Sequence, residues 1–482
     1  MPNKKRKTSP GQQHEAAAKR KRIKRSKLQL ISLPTDILFS VLSKLPLKEA
    51  LRTSVLSTQW KHVWRGGCTK LDFTRKTILT KNERTTFTSR SRDDNRKMFI
   101  KRVNSIIRQH SGIGIEQFRV IQPLHNEHAD YVDTWVNYAI ESKAKELVLD
   151  MDWEAHGPEI VPYDFFSHST NTNSYMHLNS LELNFVSLRL PADFTGFPNL
   201  TKLNLESVNI TNEDTEHLLF ICTLLVSLRI AHCKMLTSLR TRHLNKLKHL
   251  VVLTCPLLQE IELNCGITQL DYRGPIIPLA LARSLRLTNI CIKLSTKHSA
   301  IDFIFSEIPN TLHDLEVLTL RCTHIQRAVV PTRIFKFDSL RHLRLETIIC
   351  RKKLDVLDLA CLLEAAPFLE KFELHMVMNR DHRRYCLEDG ELRRLPSYPH
   401  CHLNMVHITG FYGQKDQLEL ALYVLNNATM LKEMKVEISS TVHEPGKLFC
   451  ASFRIYSDGY SVASEFLGRE DHNNVVHILG SR

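Results

Sequence analysis

His400, Cys401 and His402 stand side by side, and imidazole and thiolate are side chains by which proteins hold zinc. Three adjacent residues cannot all converge on one ion without strain, and no matching Cys/His pair lies near them, so no metal site is expected. Cys68, after Gly66-Gly67, is another residue whose type suggests chemistry; it reads as a structural cysteine rather than a nucleophile. Asp93-Asp94 falls in a charged stretch from Arg75 to Lys101 that reads as a variable, solvated connector. No Gly-x-Ser-x-Gly, P-loop or His-Glu-x-x-His pattern occurs. The 24 histidines are scattered, with surface positions as their default. The expectation is no catalytic residue, no metal and no cofactor: a protein that binds rather than reacts.

Charge is the second kind of chemistry on offer. Lys4, Lys5, Arg6 and Lys7 form one basic cluster; Lys19, Arg20, Lys21, Arg22, Lys24 and Arg25 form another, after a spacer of eleven residues. Residues 1–27 hold eleven Lys/Arg and one Glu, a net of +10 out of +15 for the chain, which leaves only +5 for the rest. Like charges repel and bury nothing, so residues 1–29 read as a disordered basic tail. Two clusters so spaced resemble a bipartite nuclear localisation signal. That implies an importin-type receptor and a nuclear location, the cytoplasm also being open. The tail could instead hold nucleic acid nonspecifically through phosphates; specific nucleic-acid binding is not expected.

Composition sets the frame for the remainder. A chain of 482 residues corresponds to roughly two to four domains, and 43% hydrophobic with 24% charged residues suits a soluble globular protein with a sizeable core. No run approaches the ~18 apolar residues of a membrane helix, so no membrane partner is expected. The basic N-terminus has no apolar stretch behind it and does not read as a secretory signal. Twelve cysteines without a Cys-x-x-Cys pair suit reduced thiols in the cytosol or nucleus.

Behind the tail comes an apolar helical segment, Leu33 to Trp64. Thr35 or Asp36 can cap a first helix in which Ile37, Leu38, Val41, Leu42 and Leu45 recur at helical spacing until Pro46. A second helix starts near Lys48, with Leu47, Ala50, Leu51, Ser54 and Val55 on an inner face. Ser57 or Thr58 can cap a third, where Trp60 and Trp64 lie one turn apart. Three helices of ~35 residues cannot bury so many large side chains among themselves. They pack on the rest of the chain or on another protein, as amphipathic helices fill a groove.

The stretch resembles an F-box: Leu33-Pro34-x-Asp36-Ile37-Leu38, Leu42-Ser43-x-Leu45-Pro46, Arg52-x-Ser54-Val55-Leu56-Ser57, then Trp60 and Trp64. The plant form of the motif is matched across nearly its full length, with Leu56 where valine is frequent. The resemblance implies docking onto a Skp-type adaptor and, through it, a cullin–RING ubiquitin ligase. Carried over by position, Leu33, Pro34, Ile37, Leu42, Leu45, Pro46, Val55 and Trp60 would contact the adaptor, while Arg52 and Trp64 would hold the bundle together.

The middle of the chain repeats itself. Leu-x-x-Leu-x-Leu frames open at 178, 200, 315 and 340, and variants with Ile230, Ile261 or Phe372 in one position open at 225, 258 and 369, with Ala144–Met151 as an earlier copy. Starts at 178, 200 and 225 are 22 and 25 residues apart, and those at 315, 340 and 369 are 25 and 29 apart, the range of leucine-rich repeats. The last two leucines of each frame share one face of a short strand, and only stacking of neighbours buries them. Residues between them, such as Asn204, Arg229, Thr319 and Arg344, are expected on the open concave face. Cys233, Cys255 and Cys322 are expected as small buried residues in place of an asparagine ladder. Residues 265–310 are hard to parse, with Leu281–Asn289 as one degraded copy.

Residues 402–439 read as a strand (Met405 to Ile408), a Gly turn, a helix from about Asp416 to Asn426 with a cap at Asn426-Asn427, and a strand (Met434 to Ile438). The stretch resembles the FBD module that follows leucine-rich repeats in plant F-box proteins. The matching features are "ITGFYG", "LALYVLNNATMLKEM" and "KVEI".

The expected fold is an α+β or α/β solenoid: a three-helix F-box (30–74), a connector with first repeat-like elements (75–140), an irregular leucine-rich-repeat arc (141–398), an FBD-like cap (399–465) and a loose tail (466–482). The resemblance implies a non-catalytic substrate receptor of an SCF-type E3 ligase that holds an unknown protein substrate near the transfer machinery. Two other classes stay open: an F-box scaffold without degradative role, and a nucleic-acid-associated protein that uses the basic tail.

Overall fold

The computed structural model describes residues 33–80, 83, 91–151, 161–166, 172–263, 266–277, 279–281, 287–294, 312–322, 335–349, 355–378, 384–439 and 453–480. The two basic clusters, Lys4–Lys7 and Lys19–Arg25, lie outside these residues. Three helices come first: α1 (Thr35–Ser43), α2 (Leu47–Thr53) and α3 (Thr58–Gly67). Pro34 and Pro46 stand at the N-caps of α1 and α2, where a fixed φ suits the turn into a helix and no N–H is lost. Neither Thr35 nor Asp36 caps α1; Asp36 lies in its first turn. Ser57 caps α3, its hydroxyl accepting from the Trp60 N–H at 3.2 Å.

One parallel sheet of fifteen strands then runs through the chain in strict sequence order. Its strands are β1 (Lys70–Thr74), β2 (Gln117–Ile121), β3 (Glu146–Asp150), β4 (Ser180–Asn184) and β5 (Lys202–Glu206). They continue as β6 (Ser227–Ala231), β7 (His249–Leu253), β8 (Gln269–Gly274), β9 (Asn289–Leu294) and β10 (Val317–Cys322). The last are β11 (His342–Ile349), β12 (Lys371–Met378), β13 (Met405–Thr409), β14 (Glu433–Glu437) and β15 (Val476–Leu479). An order that never doubles back is the mark of a solenoid, in which each unit touches only its neighbours.

Most of the leucine frames find their places in this sheet. Those at 178, 200, 225, 315, 340 and 369 supply β4, β5, β6, β10, β11 and β12. The frame at 258 does not: its strand, Glu260–Leu263, pairs with Ser238–Arg240 and Leu279–Leu281 in a separate three-stranded parallel sheet. β7, β8 and β9 start at 249, 269 and 289, 20 residues apart, which leaves room in the return limb for a short strand but not for a long helix. Where units are longer, helices return the chain: α4 (Arg75–Ile78), α5 (Arg92–Ile107), α6 (Ala129–Glu141), α7 (Asn212–Ile221), α8 (Ala360–Glu364), α9 (Lys415–Asn427) and α10 (Phe453–Val462).

Three sequence expectations are corrected. The charged stretch from Arg75 to Lys101 is not merely a solvated connector: most of α5 lies in it, capped by Ser91, with Asp93 and Asp94 in its first turn and Phe99, Ile100, Val103 and Ile107 buried. The charges occupy the outer face and the apolar residues keep helical spacing. The second correction concerns residues 466–482, expected as a loose tail, which supply β15 against the edge of β14. The third is the C-cap of α9: it is Ala428, and Asn427 instead donates its amide to the Tyr423 carbonyl at 2.8 Å. Residues 405–437 continue the sheet as β13, α9 and β14, repeating the strand–helix unit near its C-terminal end.

Four strand ends share one device. Phe185, Ser207, His232 and Thr254, each the residue after a strand, have φ of 52 to 55°. Their N–H groups bond carbonyls at or next to the end of the next strand, at 2.6 Å for Thr254 to Arg273 and 2.8 Å for Ser207 to Ala231. The left-handed kink turns the following residue inward, so Val186, Val208, Cys233 and Cys255 are buried. Such backbones cost non-glycine residues of order 1 kcal/mol and persist because both neighbours fix them. Cys233 and Cys255 thus take the small buried positions expected of them; the Cys322 side chain lies outside the described residues.

Candidate functional site

The helix trio faces two ways. Inward, Leu38, Leu42, Leu47, Ala50, Trp60, Val63 and Trp64 are buried in one core that is continuous with Leu71 and Phe73 of β1. The junction is tied down: the Ser111 N–H reaches the Arg65 carbonyl at 2.9 Å, His110 Nε2 bonds the Cys68 carbonyl at 2.9 Å, and the His110 ring lies 6.2 Å from Trp64. Burial keeps the His110 imidazole below its usual pKa, so Nε2–H donates from a neutral ring. Gly67 lets α1 and α3 approach: a β-carbon there would lie 3.1 Å from the Phe39 Cα.

Outward, the trio leaves large apolar side chains in solvent. Ile37, Phe39 and Val41 of α1 are 44%, 37% and 40% exposed, and Val55 and Leu56 in the turn after α2 are 84% and 66% exposed. Val55, expected on the inner face of α2, is therefore outside. Of the eight expected contact residues, Pro34, Ile37, Pro46 and Val55 are exposed, and Leu33 and Leu45 are partly buried. Leu42 and Trp60 are 0% and 5% exposed and sit in the core beneath that surface. Trp64 is buried with them, while Arg52 is exposed and pairs with Glu49 at 2.9 Å.

The second surface is the open face of the sheet. Register places Asn204 beside Arg229 and Thr319 beside Arg344, and the pairs between them run Arg229, Val251, Asp271, Cys291, Thr319. All four expected open-face residues thus stand in one row across the strands. Asn204, expected to be open, is buried in it, and Arg229 pairs with Glu206 at 3.5 Å. Towards the C-terminal end the row becomes an ion network. Arg344 reaches Glu346 at 2.9 Å and Glu373 at 3.0 Å; Lys371 and His375 also hold the Glu373 carboxylate. Burial alone would raise the Glu373 carboxyl, but the bonds from Lys371 and His375 and the charge of Lys371 outweigh it and hold it at about 2. The repeat frames at 340 and 369 put Arg344 and Glu373 at the same position, and strand alternation puts Glu346 on the same face as Arg344.

The residues whose types suggested chemistry are placed otherwise. Cys68 is buried and its thiol is pushed up to about 11 by burial, which disfavours a thiolate. His400 is buried against Tyr398 and Tyr423, while Cys401 and His402 are exposed. Among the described residues, no group of three or more His, Cys, Asp or Glu is arranged to hold a metal ion, and no helix is long and apolar enough to cross a membrane.

Comparison with known proteins agrees with this two-part layout. The F-box domain family matches residues 30–70, and the family described as the At1g61320/AtMIF1 LRR domain matches residues 106–458, well over half of the chain. The FBD-associated F-box protein At1g61320 of Arabidopsis thaliana is 23% identical over 449 residues, 88% of this chain and 91% of its own length. The F-box/LRR-repeat protein At3g03360 of the same plant is 25% identical over 376 residues, 71% and 69% of the two chains. The F-box/FBD/LRR-repeat protein At1g13570 is 28% identical over 200 residues, 42% and 43% of the two.

Proposed function

The chain belongs to the plant F-box/leucine-rich-repeat family, and on that premise we propose that it is the substrate-recognition subunit of an SCF-type E3 ubiquitin ligase. Proteins built from these two domains serve in general as non-catalytic receptors of such ligases. In this reading the helix trio docks a Skp-type adaptor and the open face of the sheet holds a target protein. The receptor acts by raising the effective concentration of target lysines near the transfer machinery. It makes and breaks no bond itself.

The observation that carries the reading is the two-sidedness of the trio. Its inner face is sealed on the first strand, yet Ile37, Val41, Val55 and Leu56 remain in solvent. A patch of aliphatic side chains held on a rigid support is what a partner helix buries. The two basic clusters of residues 4–25 are read as a nuclear import signal for an importin-type receptor.

Co-purification of the full chain with a Skp-type adaptor tests the reading. Wild type should form a stable complex, and Ile37→Asp/Val55→Asp should lose it while its circular dichroism stays unchanged. A folded wild-type chain that captures no adaptor overturns the proposal.

A further inference from the structure

The seam between the helix trio and the sheet holds a cavity of about 470 Å³. Its floor is the start of the open face: Lys70 and Asp72 of β1 stand beside Gln117 and Arg119 of β2. The residues that alternate with them, Leu71, Phe73, Phe118 and Val120, are buried in the core. The wall of the cavity is the turn from α1 to α2, with Lys44, Leu45 and Pro46. One end of the open face is thus walled by the trio.

The polar groups of this cavity are not satisfied by the chain. The Asp72 Oδ1 and the Arg119 Nε are both buried, and neither has a hydrogen-bond partner. Register sets the two residues side by side, yet no bond joins these atoms. A buried donor and acceptor left unmade cost free energy, so in a cavity of this size they mark a place for water or a ligand. Burial raises the Asp72 carboxyl above its usual range, and the Arg119 charge offsets this only in part. Gln117 already donates its amide to Glu146 at 2.8 Å. Lys44 and Lys70 are exposed. No carboxylate of the described residues lies within ion-pair distance of Lys44, Lys70 or Arg119. The lining therefore offers three cations, one carboxylate acceptor and the apolar surface of Leu45 and Pro46.

We infer that this cavity binds the free C-terminus of the target protein. The terminal carboxylate lies on Arg119 and Lys70, the last amide N–H donates to Asp72, and an apolar last side chain packs on Leu45 and Pro46. The inference rests on the receptor reading and names the feature by which the target is held. The amide nitrogen and carboxylate carbon of one residue are about 2.5 Å apart. Hydrogen bonds add about 2.9 Å at either end, which bridges side chains on strands about 4.8 Å apart. A guanidinium beside an ammonium suits a carboxylate, and capture of a chain terminus is a recurring mode of recognition. A phosphate fits worse, because Asp72 would repel a dianion and find no donor on it.

Fluorescence anisotropy on the full chain tests this with an N-terminally labelled pool of hexapeptides, Gly-Gly-x-x-x-Leu, made once with a free C-terminal carboxyl and once amidated. The free acid should bind at least about tenfold more tightly than the amide. Arg119→Gln and Lys70→Gln should each weaken it about fivefold or more; Lys70 is exposed, so its variant serves if Arg119→Gln does not fold. Lys435→Gln, on β14 of the same face, should leave it unchanged. Equal binding of acid and amide overturns the inference, and so does no binding of the free acid with the chain at about 0.1 mM. N-acetyl-leucine carries both groups without a chain and should compete only at concentrations about tenfold higher. Equal potency would make the occupant a small carboxylic acid and overturn the assignment to a target. Adaptor co-purification on the same variants should not change. A wild-type chain that captures adaptor without binding the free acid loses only this inference; one that captures no adaptor loses the receptor reading and, with it, the assignment of the occupant to a target.

Discussion

Gly67 of α3 lies against Phe39 of α1 so closely that a β-carbon on Gly67 would come within 2.9 Å of the Phe39 ring and 3.1 Å of its Cα. The ring can swing away; the backbone cannot. Gly67→Val should therefore push α1 off α3 and destabilise the trio by about 1–3 kcal/mol. Thermal unfolding followed by tryptophan fluorescence reads this directly, because Trp60 and Trp64 sit in the same helix. An unchanged melting curve would mean that the two helices do not meet there.

Neighbouring residues of α1 should separate stability from docking. Leu42 is fully buried and Val41 is 40% exposed. Leu42→Ala leaves a cavity and should cost about 2–4 kcal/mol. Val41→Asp should leave urea denaturation within about 0.5 kcal/mol of wild type and still reduce adaptor capture.

A buried carboxylate staples the outer layer. The Glu419 side chain in α9 is fully buried, and Arg393 meets it through its backbone N–H at 2.7 Å and Nε at 2.8 Å. Arg393 also reaches Asp355 at 2.5 and 3.0 Å. Arg393→Met strands the Glu419 charge and should cost about 3–5 kcal/mol, with faster amide exchange in α9 as the local signature.

His400 gives a pH dependence with a defined sign. Burial holds its imidazole down at about 4, against 6.5 for an ordinary histidine. The unfolded chain thus takes up a proton near 6.5 that the folded chain refuses until about 4. Stability from this residue is present above pH 6.5 and falls as pH drops towards 4, by on the order of 1–2 kcal/mol. His400→Phe should flatten that slope in urea titrations between pH 7 and 4.5. An identical slope would place the proton uptake elsewhere.

Much of the solenoid is legible in the sequence, and its failures have physical reasons. Leu181 and Leu183 announce a strand because two inward leucines two residues apart need one. In the units from 247 to 294 the last inward position is Val252, Tyr272 or Ile292 instead, so the frame is easily passed over. The frame at Leu258 fits the pattern equally well and yet serves the small return sheet. The pattern records that a pair points inward, not from which side of the core. Likewise Leu42 and Val41 are both aliphatic, and nothing in their types says that only one is covered. Arg393 and Glu419 are 26 residues apart and meet only because β13 and α9 stack on the preceding unit.

α3 ends at Gly67 and β1 begins at Lys70, so only Cys68 and Thr69 join the helix trio to the sheet, and Ser111 and His110 clamp that joint from the side. There is no swivel in such a joint. The trio and the sheet form a lever with a fixed elbow, and each strand step away from β1 lengthens its arm by about 4.8 Å. Deleting one unit of the solenoid would shorten the arm by one step and rotate its load by one increment of twist, a change of aim that a flexible tether would have absorbed.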